Sequence, residues 1–163
     1  MRLSEVVGIL ARRLHRKRAR VAAIANRLQH AGFLPLAESR RFPPEVPDDN
    51  VTDLFLAVVA DRGLHLATDM VREIGDLVSA DGYRVRETLL MVLRGQAQPG
   101  DFIVREGGVS ATINGQHIVF GQPAEDGPAR FITGATLSAI VAEFQGAPPA
   151  AADAVAAITR IRA

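Results

Sequence analysis

The stretch ARRLHRKRARVAAIANRLQHAGFLP, residues 11–35, decides how the N-terminal part of this chain folds. Its apolar residues continue two heptad-spaced rows that begin at Leu3 and Val7 and are broken only by Lys17, so the pattern is compatible with one long helix over residues 4–31. The alternative divides the stretch at HRKR, so that Ser4 caps a first helix ending near Leu14 and a second helix runs from about Arg18 to Ala31. The pattern alone leaves both interpretations open.

The end of this stretch carries a stronger signal than its middle. Gly32 suits the left-handed position that closes a helix, and Phe33 can then fold back on that helix. Pro35 prevents the helix from continuing. Both interpretations therefore predict a helix end at Gly32.

Charge is distributed unevenly along the chain. Residues 1–41 hold ten Lys and Arg against Glu5 and Glu38, a net charge of +8, whereas residues 42–163 hold nine against sixteen acids, a net charge of −7. Residues 11–35 contain seven of the basic residues and no acid. A basic head of this kind favours a polyanionic partner, and the alternative is an ordinary solvated helix face.

The run VAAIANRLQHAGFLP, followed by VTDLFLAVVA, resembles small helix-turn-helix DNA-binding proteins of alphaproteobacterial prophages and gene-transfer-agent regulators. The likeness covers about residues 1–60 and, more loosely, a strand-strand-strand-helix ending. In those proteins the first two helices form a DNA-binding element, so the resemblance favours a break near HRKR. The chain departs from them in the turn, which lacks a glycine and is filled with charge.

The two-helix interpretation assigns roles to the basic residues. Arg16, Lys17 and Arg18 would grip phosphates at the start of a recognition helix. The apolar row of this helix is Val21, Ile24 and Leu28, and the side chains roughly opposite would face the bases: Arg20, Ala23, Asn26 and Arg27. Arg can pair with guanine and Asn with adenine. For Asn26 the alternative is an ordinary solvated position. The candidate DNA-binding residues are Arg12, Arg13, Arg16, Lys17, Arg18, Arg20, Ala23, Asn26, Arg27 and, in the proline-rich loop, Arg40 and Arg41.

The middle of the chain predicts three helices. Asp49 or Asn50 would cap the first, over VTDLFLAVVA, which ends at Gly63. The second covers about Leu64 to Val78, and the third covers YRVRETLLMVLRG and ends at Gly95. We expect the first of these helices to complete the core of the basic head through Leu54, Phe55, Val58 and Val59.

The period of the pattern changes to two after residue 100. VSATINGQHIVF predicts a hairpin that turns at Asn114-Gly115, with a third strand at Ala129 to Ile132. A helix capped by Thr133 and stopped by Gly146 would follow, with a buried row of Leu137, Ile140, Val141 and Phe144. The Ala- and Pro-rich tail predicts a hinge and a short helix, either mobile or docked on a partner subunit.

Together these patterns predict a mostly α-helical fold with a small C-terminal α/β unit. Its parts would be an N-terminal helix-turn-helix, a helical middle, and a three-stranded antiparallel sheet with one covering helix. The expected domains are a basic DNA-binding head (1–41), a helical body (48–95), a β-hairpin, strand and helix unit that oligomerises (101–146) and a tail (147–163).

The sequence contains few of the residue patterns that are typical of enzymes. It has no Cys, its four His are scattered singly, and its glycines form no phosphate-binding loop. We therefore expect no catalytic residue, no metal and no cofactor. The chain has no apolar run of about 18 residues and no signal peptide, so we expect a cytoplasmic protein that does not enter a membrane.

These observations predict a sequence-specific, phage-derived transcriptional regulator that binds double-stranded DNA as a homodimer. RNA polymerase or another regulator would be a further partner. Two alternatives remain: a DNA-packaging recognition subunit of the small-terminase kind, and a non-enzymatic protein-interaction module whose basic helix meets an acidic partner. The patterns indicate neither the DNA sequence recognised nor whether transcription is activated or repressed.

Overall fold

Helices α1 (Leu3–Arg13) and α2 (Arg18–His30) are separated by the turn Leu14–Lys17, so the two-helix interpretation is correct. The computed structural model describes residues 1–36 and 45–162 and forms two compact units, Met1–Glu73 and Ile74–Ala163. The further elements are α3 (Asp48–Val59), a 3-10 turn (Leu64–Leu66), α4 (Ala67–Gly75), α5 (Val85–Leu93), β1 (Pro99–Arg105), β2 (Gly108–Ile113), β3 (Gln116–Gly121), β4 (Arg130–Ile132), α6 (Gly134–Phe144) and α7 (Pro149–Arg162). The predicted fold class is confirmed. None of the helices in the described part of the chain is long and apolar enough to cross a membrane.

The break between α1 and α2 is made by the backbone of His15. This residue takes a left-handed conformation, with φ 51°, which allows the N–H of Arg16 to donate to the carbonyl of Ala11 at 2.8 Å. Glycine usually occupies this position in the Schellman motif, since a side chain there is strained. The missing glycine is the reason why the sequence left this break undecided.

The start of α1 differs from the prediction, whereas the end of α2 agrees with it. The cap position is Arg2, whose N–H donates to the Glu5 carboxylate at 2.9 Å, so the predicted cap, Ser4, lies inside the helix. At the end of α2, Gly32 has φ 80° and the N–H of Phe33 donates to the carbonyl of Leu28 at 2.9 Å. The predicted helix end at Gly32 is confirmed.

Helix α3 packs against α2 and α1 and supplies the centre of the first unit's core. All of its residues from Val51 to Val59 are buried, including the predicted Leu54, Phe55, Val58 and Val59. The predicted cap at Asp49 or Asn50 is wrong, because α3 begins at Asp48 after Pro47. Asp48 and Asp49 instead lie in its first turn, where carboxylates interact favourably with the helix dipole. The Asn50 amide donates to the carbonyl of Phe33 and ties α3 to the end of α2.

The two helices that follow are shorter than predicted. Helix α4 ends at Gly75, since the chain beyond it reverses: Val78 forms an antiparallel bridge with Arg84, and the N–H of Val85 donates to the carbonyl of Leu77 at 3.1 Å. Helix α5 consequently begins only at Val85.

The sheet has four strands rather than the predicted three, in the order β3-β2-β1-β4, and all neighbours are antiparallel. The missed strand is β1, one of the two inner strands, which begins with Pro99 and Gly100 and has an irregular register between Pro99 and Phe102. The hairpin turn is as predicted, with positive φ at both Asn114 (52°) and Gly115 (77°). Its alternation buries Val109, Ala111 and Phe120.

Two helices lie beside this sheet in the second unit. The Thr133 hydroxyl caps α6 by accepting from the N–H of Thr136 at 3.1 Å, as predicted, and α6 packs on β1. Three of its predicted buried residues are buried, while Phe144 is only half-buried. The tail forms the helix α7, which packs on α6 of the same chain through Ala135, Ala139, Ala152 and Ala156. Helix α6 therefore covers the sheet, and α7 packs on α6.

Candidate nucleic-acid interface

The side of α2 turned away from the core forms a continuous exposed stripe. We call it the α2 face; its members are Ala19, Ala22, Ala23, Asn26, Arg27 and His30, of which all but the half-buried Ala23 are exposed. Their spacing of three and four residues places them on one side of the helix. The opposite side, with Val21, Ile24, Ala25 and Leu28, is buried. The α2 face thus combines three small side chains with three that can form hydrogen bonds.

A group of cations precedes the α2 face in the chain. The group, which we call the turn cations, consists of Arg16, Lys17 and Arg18; Lys17 and Arg18 are exposed and Arg16 is half-buried. Arg18 reaches back to the carbonyl of Ser4 at 3.5 Å. Among residues 1–36 the sequence has one acid, Glu5, whose carboxylate accepts from the N–H of Arg2.

The charges around the N-terminus of α2 are unfavourable for the helix dipole. No side chain caps this helix and no acid lies in its first turn. The helix dipole places partial positive charge at this end, where anions are stabilising and cations are not. An anion bound between the turn cations and the first turn of α2 would relieve both effects.

Arg20, in the first turn of α2, forms an ion pair with Asp61. Its Nε donates to Oδ2 of Asp61 at 2.8 Å and its Nη2 to Oδ1 at 2.6 Å. The Asp61 side chain is 12% exposed, and its Oδ1 also accepts from the N–H of Gly63 at 3.1 Å. Two parallel N–H···O bonds make this the strongest geometry that a guanidinium and a carboxylate can adopt.

The pair shifts the ionisation of both partners. The hydrogen bond from Arg20 lowers the pKa of Asp61, partial burial opposes that shift, and the charge of Arg20, the Gly63 N–H and the charge of Arg16 lower it further. The hydrogen bond to Asp61 likewise raises the pKa of Arg20. Because the folded-state pKa of Asp61 lies below its ordinary value, its contribution to stability is present at neutral pH and is lost as the pH falls through that lowered value.

The structure separates the sequence-predicted residues into groups. Ala23, Asn26 and Arg27 share the α2 face, whereas Arg20 contacts Asp61. Arg12 is exposed and Arg13 half-buried near the end of α1, and each has interactions of its own. Arg40 and Arg41 lie outside the described residues.

Sequence reasoning missed several members of this region. Ala19, Ala22 and His30 share the α2 face, and their three- and four-residue spacing from Ala23 and Asn26 was available in the sequence. Asp61 is 41 residues away from its partner Arg20, and no sequence pattern connects them.

The unit Ile74–Ala163 contains a concave site. It is an open cleft of about 650 Å³ whose lining includes Gly100, Thr112, Gly134 and Arg160. The helix end that faces it is already capped, because Asp101 accepts from the N–H of Gly134 at 2.9 Å. Within the described ranges, no group of three or more His, Asp or Glu residues is placed to hold a metal ion.

No protein-family model, curated protein or solved structure matches this chain.

Proposed function

We propose that the unit Met1–Glu73 binds duplex DNA with α2 in the major groove, and that the protein acts as a sequence-specific transcriptional regulator. The observation that carries this proposal is the arrangement of α2: an exposed face of small and hydrogen-bonding side chains directly follows three cations without a neighbouring acid in the sequence. A recognition helix needs both parts, since phosphate contacts fix its register and base contacts specify the sequence.

The α2 face suits close approach to base edges. Ala19, Ala22 and Ala23 add little bulk, so the helix backbone can enter a groove about 12 Å wide. Asn26 can make a two-point contact with adenine and Arg27 with guanine. His30, one turn beyond Asn26, extends the same stripe toward the end of the helix.

The turn cations suit the phosphates on either side of that groove. Arg16, Lys17 and Arg18 directly precede the α2 face in the chain, and the first turn of α2 adds its partial positive charge. We assign Arg20 no base contact, in contrast to the sequence prediction, because its guanidinium is engaged by Asp61.

The test is duplex binding as a function of salt. We expect Arg16→Ala, Lys17→Ala and Arg18→Ala together to weaken binding to every duplex similarly. Each phosphate contact contributes about 0.9 to the slope of log K against log salt, so three lost contacts should reduce the slope by roughly 2.7. Fluorescence anisotropy with a random-sequence duplex at several salt concentrations measures this.

The matched control removes the same charge from the other unit. Arg84, Arg130 and Arg160 are exposed there, and their joint replacement with Ala should leave the slope unchanged. Equal effects of the two triple variants would mean that only net charge matters. A wild-type chain that binds no duplex at low salt would contradict the proposal and favour an acidic protein partner.

A second arm of this experiment tests the reading of sequence. Selection of bound fragments from genomic DNA defines a preferred site, and Asn26→Ala should then relax the preference at one base pair by about 1–3 kcal/mol. The helix content by circular dichroism should not change, because Asn26 is exposed. A uniform loss of affinity over all sequences would instead indicate that Asn26 contacts the sugar-phosphate backbone of the DNA.

A further inference from the structure

Asp61 and Arg20 form a pair that bears directly on how strongly the basic head can hold DNA. Arg20 lies in the first turn of α2, two residues after Arg18, and its side chain is 38% exposed. It is therefore placed among the turn cations by the helix, yet its charge is matched by a carboxylate from the segment that follows α3.

The carboxylate is fixed in place rather than loosely associated. Asp61 accepts two hydrogen bonds from Arg20 and one from the N–H of Gly63, and its side chain is largely buried. The charge of Arg16 also acts on it, so Asp61 lies within electrostatic range of a turn cation. A DNA phosphate that contacts Arg20 would have to displace the Asp61 carboxylate, or else bind beside it against the repulsion between two negative charges.

We infer that Asp61 withholds Arg20 from the DNA backbone and thereby limits sequence-independent binding. This inference rests on the proposed function. Random-sequence DNA competes with a specific site through phosphate contacts alone, so each cation withheld weakens the competitor. Asp61 would thus tune non-specific affinity without contacting a base.

The experiment neutralises Asp61 and follows binding to a random-sequence duplex over a range of salt concentrations. Asp61→Asn keeps the shape and frees the charge of Arg20, which adds about one phosphate contact. The salt slope should steepen by about 0.9, and at 0.1 M salt the affinity should rise about eightfold. An ion pair with a purely structural role would leave that slope unchanged.

The control replaces the pair as a whole. In Arg20→Gln with Asp61→Asn both partners are neutral, so the net charge equals that of the wild-type pair and the slope should return to the wild-type value. If the double variant keeps the steeper slope, Arg20 is not the cation released, and the inference is wrong.

Folding of each variant is checked by circular dichroism, and Asp61→Ser provides a second test if Asp61→Asn does not fold. A serine hydroxyl can accept from the N–H of Gly63 and carries no charge, so it should steepen the slope by the same amount. An unchanged slope in a folded variant, with a wild-type chain that binds DNA, overturns the inference alone. A wild-type chain that binds no duplex overturns the proposed function and the inference with it.

Discussion

The protein contains two helical hairpins that are built in opposite ways. In the hairpin of α1 and α2, large side chains such as Leu10, Ile24 and Leu28 are buried, and the exposed side of α2 carries only alanines and polar or charged residues. In the hairpin of α6 and α7, the helices meet through alanines, Ala152 and Ala156 among them. The larger residues of α7 are exposed instead: Val155 at 40%, Ile158 at 51% and Ile161 at 85%.

The side of α7 that is buried is therefore the one whose small side chains fit against α6, and not the one with the most hydrophobic residues. Alanines at both surfaces allow two helices to approach closely, so that neighbouring side chains interdigitate without voids. The first hairpin fills the same kind of space with long side chains. Substitutions that make a buried side chain smaller should therefore destabilise the first hairpin. Substitutions that make one larger should destabilise the second.

The largest effect should come from Leu10→Ala in the first hairpin. Leu10 is fully buried, and removing three carbons would leave a cavity that costs about 2–5 kcal/mol of unfolding free energy. Chemical denaturation followed by circular dichroism measures the loss. Leu36→Ala is the control, since Leu36 is 65% exposed and its truncation should stay within about 0.5 kcal/mol. A loss below 1 kcal/mol for Leu10→Ala would contradict tight packing of α1.

An intermediate effect is expected from Ala152→Leu in the second hairpin. Ala152 is fully buried in the alanine contact, so the added atoms have no space and should cost about 1–3 kcal/mol. Ala157→Leu adds the same atoms on the exposed side of α7 and should be close to neutral. The two variants are compared by thermal unfolding. Equal stability would show that α7 is not held by close packing, and would remove the contrast between the hairpins.

Local signals in the sequence predicted much of this structure. The helix end at Gly32, the turn at Asn114-Gly115 and the cap at Thr133 each depend on residues close together in the chain, and all three are confirmed. The buried row of α2 followed from its periodicity. The assignment of double-stranded DNA, a homodimer and RNA polymerase as partners stays a prediction.

What the sequence could not predict depends on contacts between distant residues. Arg20 was assigned to the bases because its spacing permits it, whereas its actual partner, Asp61, lies on another element. Strand β1 was missed because Pro99 and Gly100 obscure its alternation, although its neighbours in the sheet make it an inner strand. The side of α7 that is buried follows from the alanines of α6, which no pattern within α7 reveals.

The joints of the two hairpins allow a third and smaller test, because they use the same cap with different residues. At the end of α6 the N–H of Ala147 donates to the carbonyl of Ala142 at 2.9 Å, as that of Arg16 does to Ala11 after α1. Gly146 occupies the left-handed position after α6, with φ 90°, and His15 occupies it after α1, with φ 51°.

His15→Gly should therefore stabilise the protein even though it removes a side chain. A left-handed conformation destabilises the folded state by roughly 1–2 kcal/mol when the residue is not glycine. Glycine removes this strain, but it also makes the unfolded chain more flexible, which lowers the free energy of unfolding by about 0.4–1 kcal/mol. The expected net gain is about 0.5–1 kcal/mol, and Gly146→Ala should lose a similar amount. Denaturant midpoints of both variants measure these changes. If His15→Gly destabilises the chain instead, the imidazole makes a contact stronger than the backbone strain, and the turn between α1 and α2 is held by that side chain rather than by its cap.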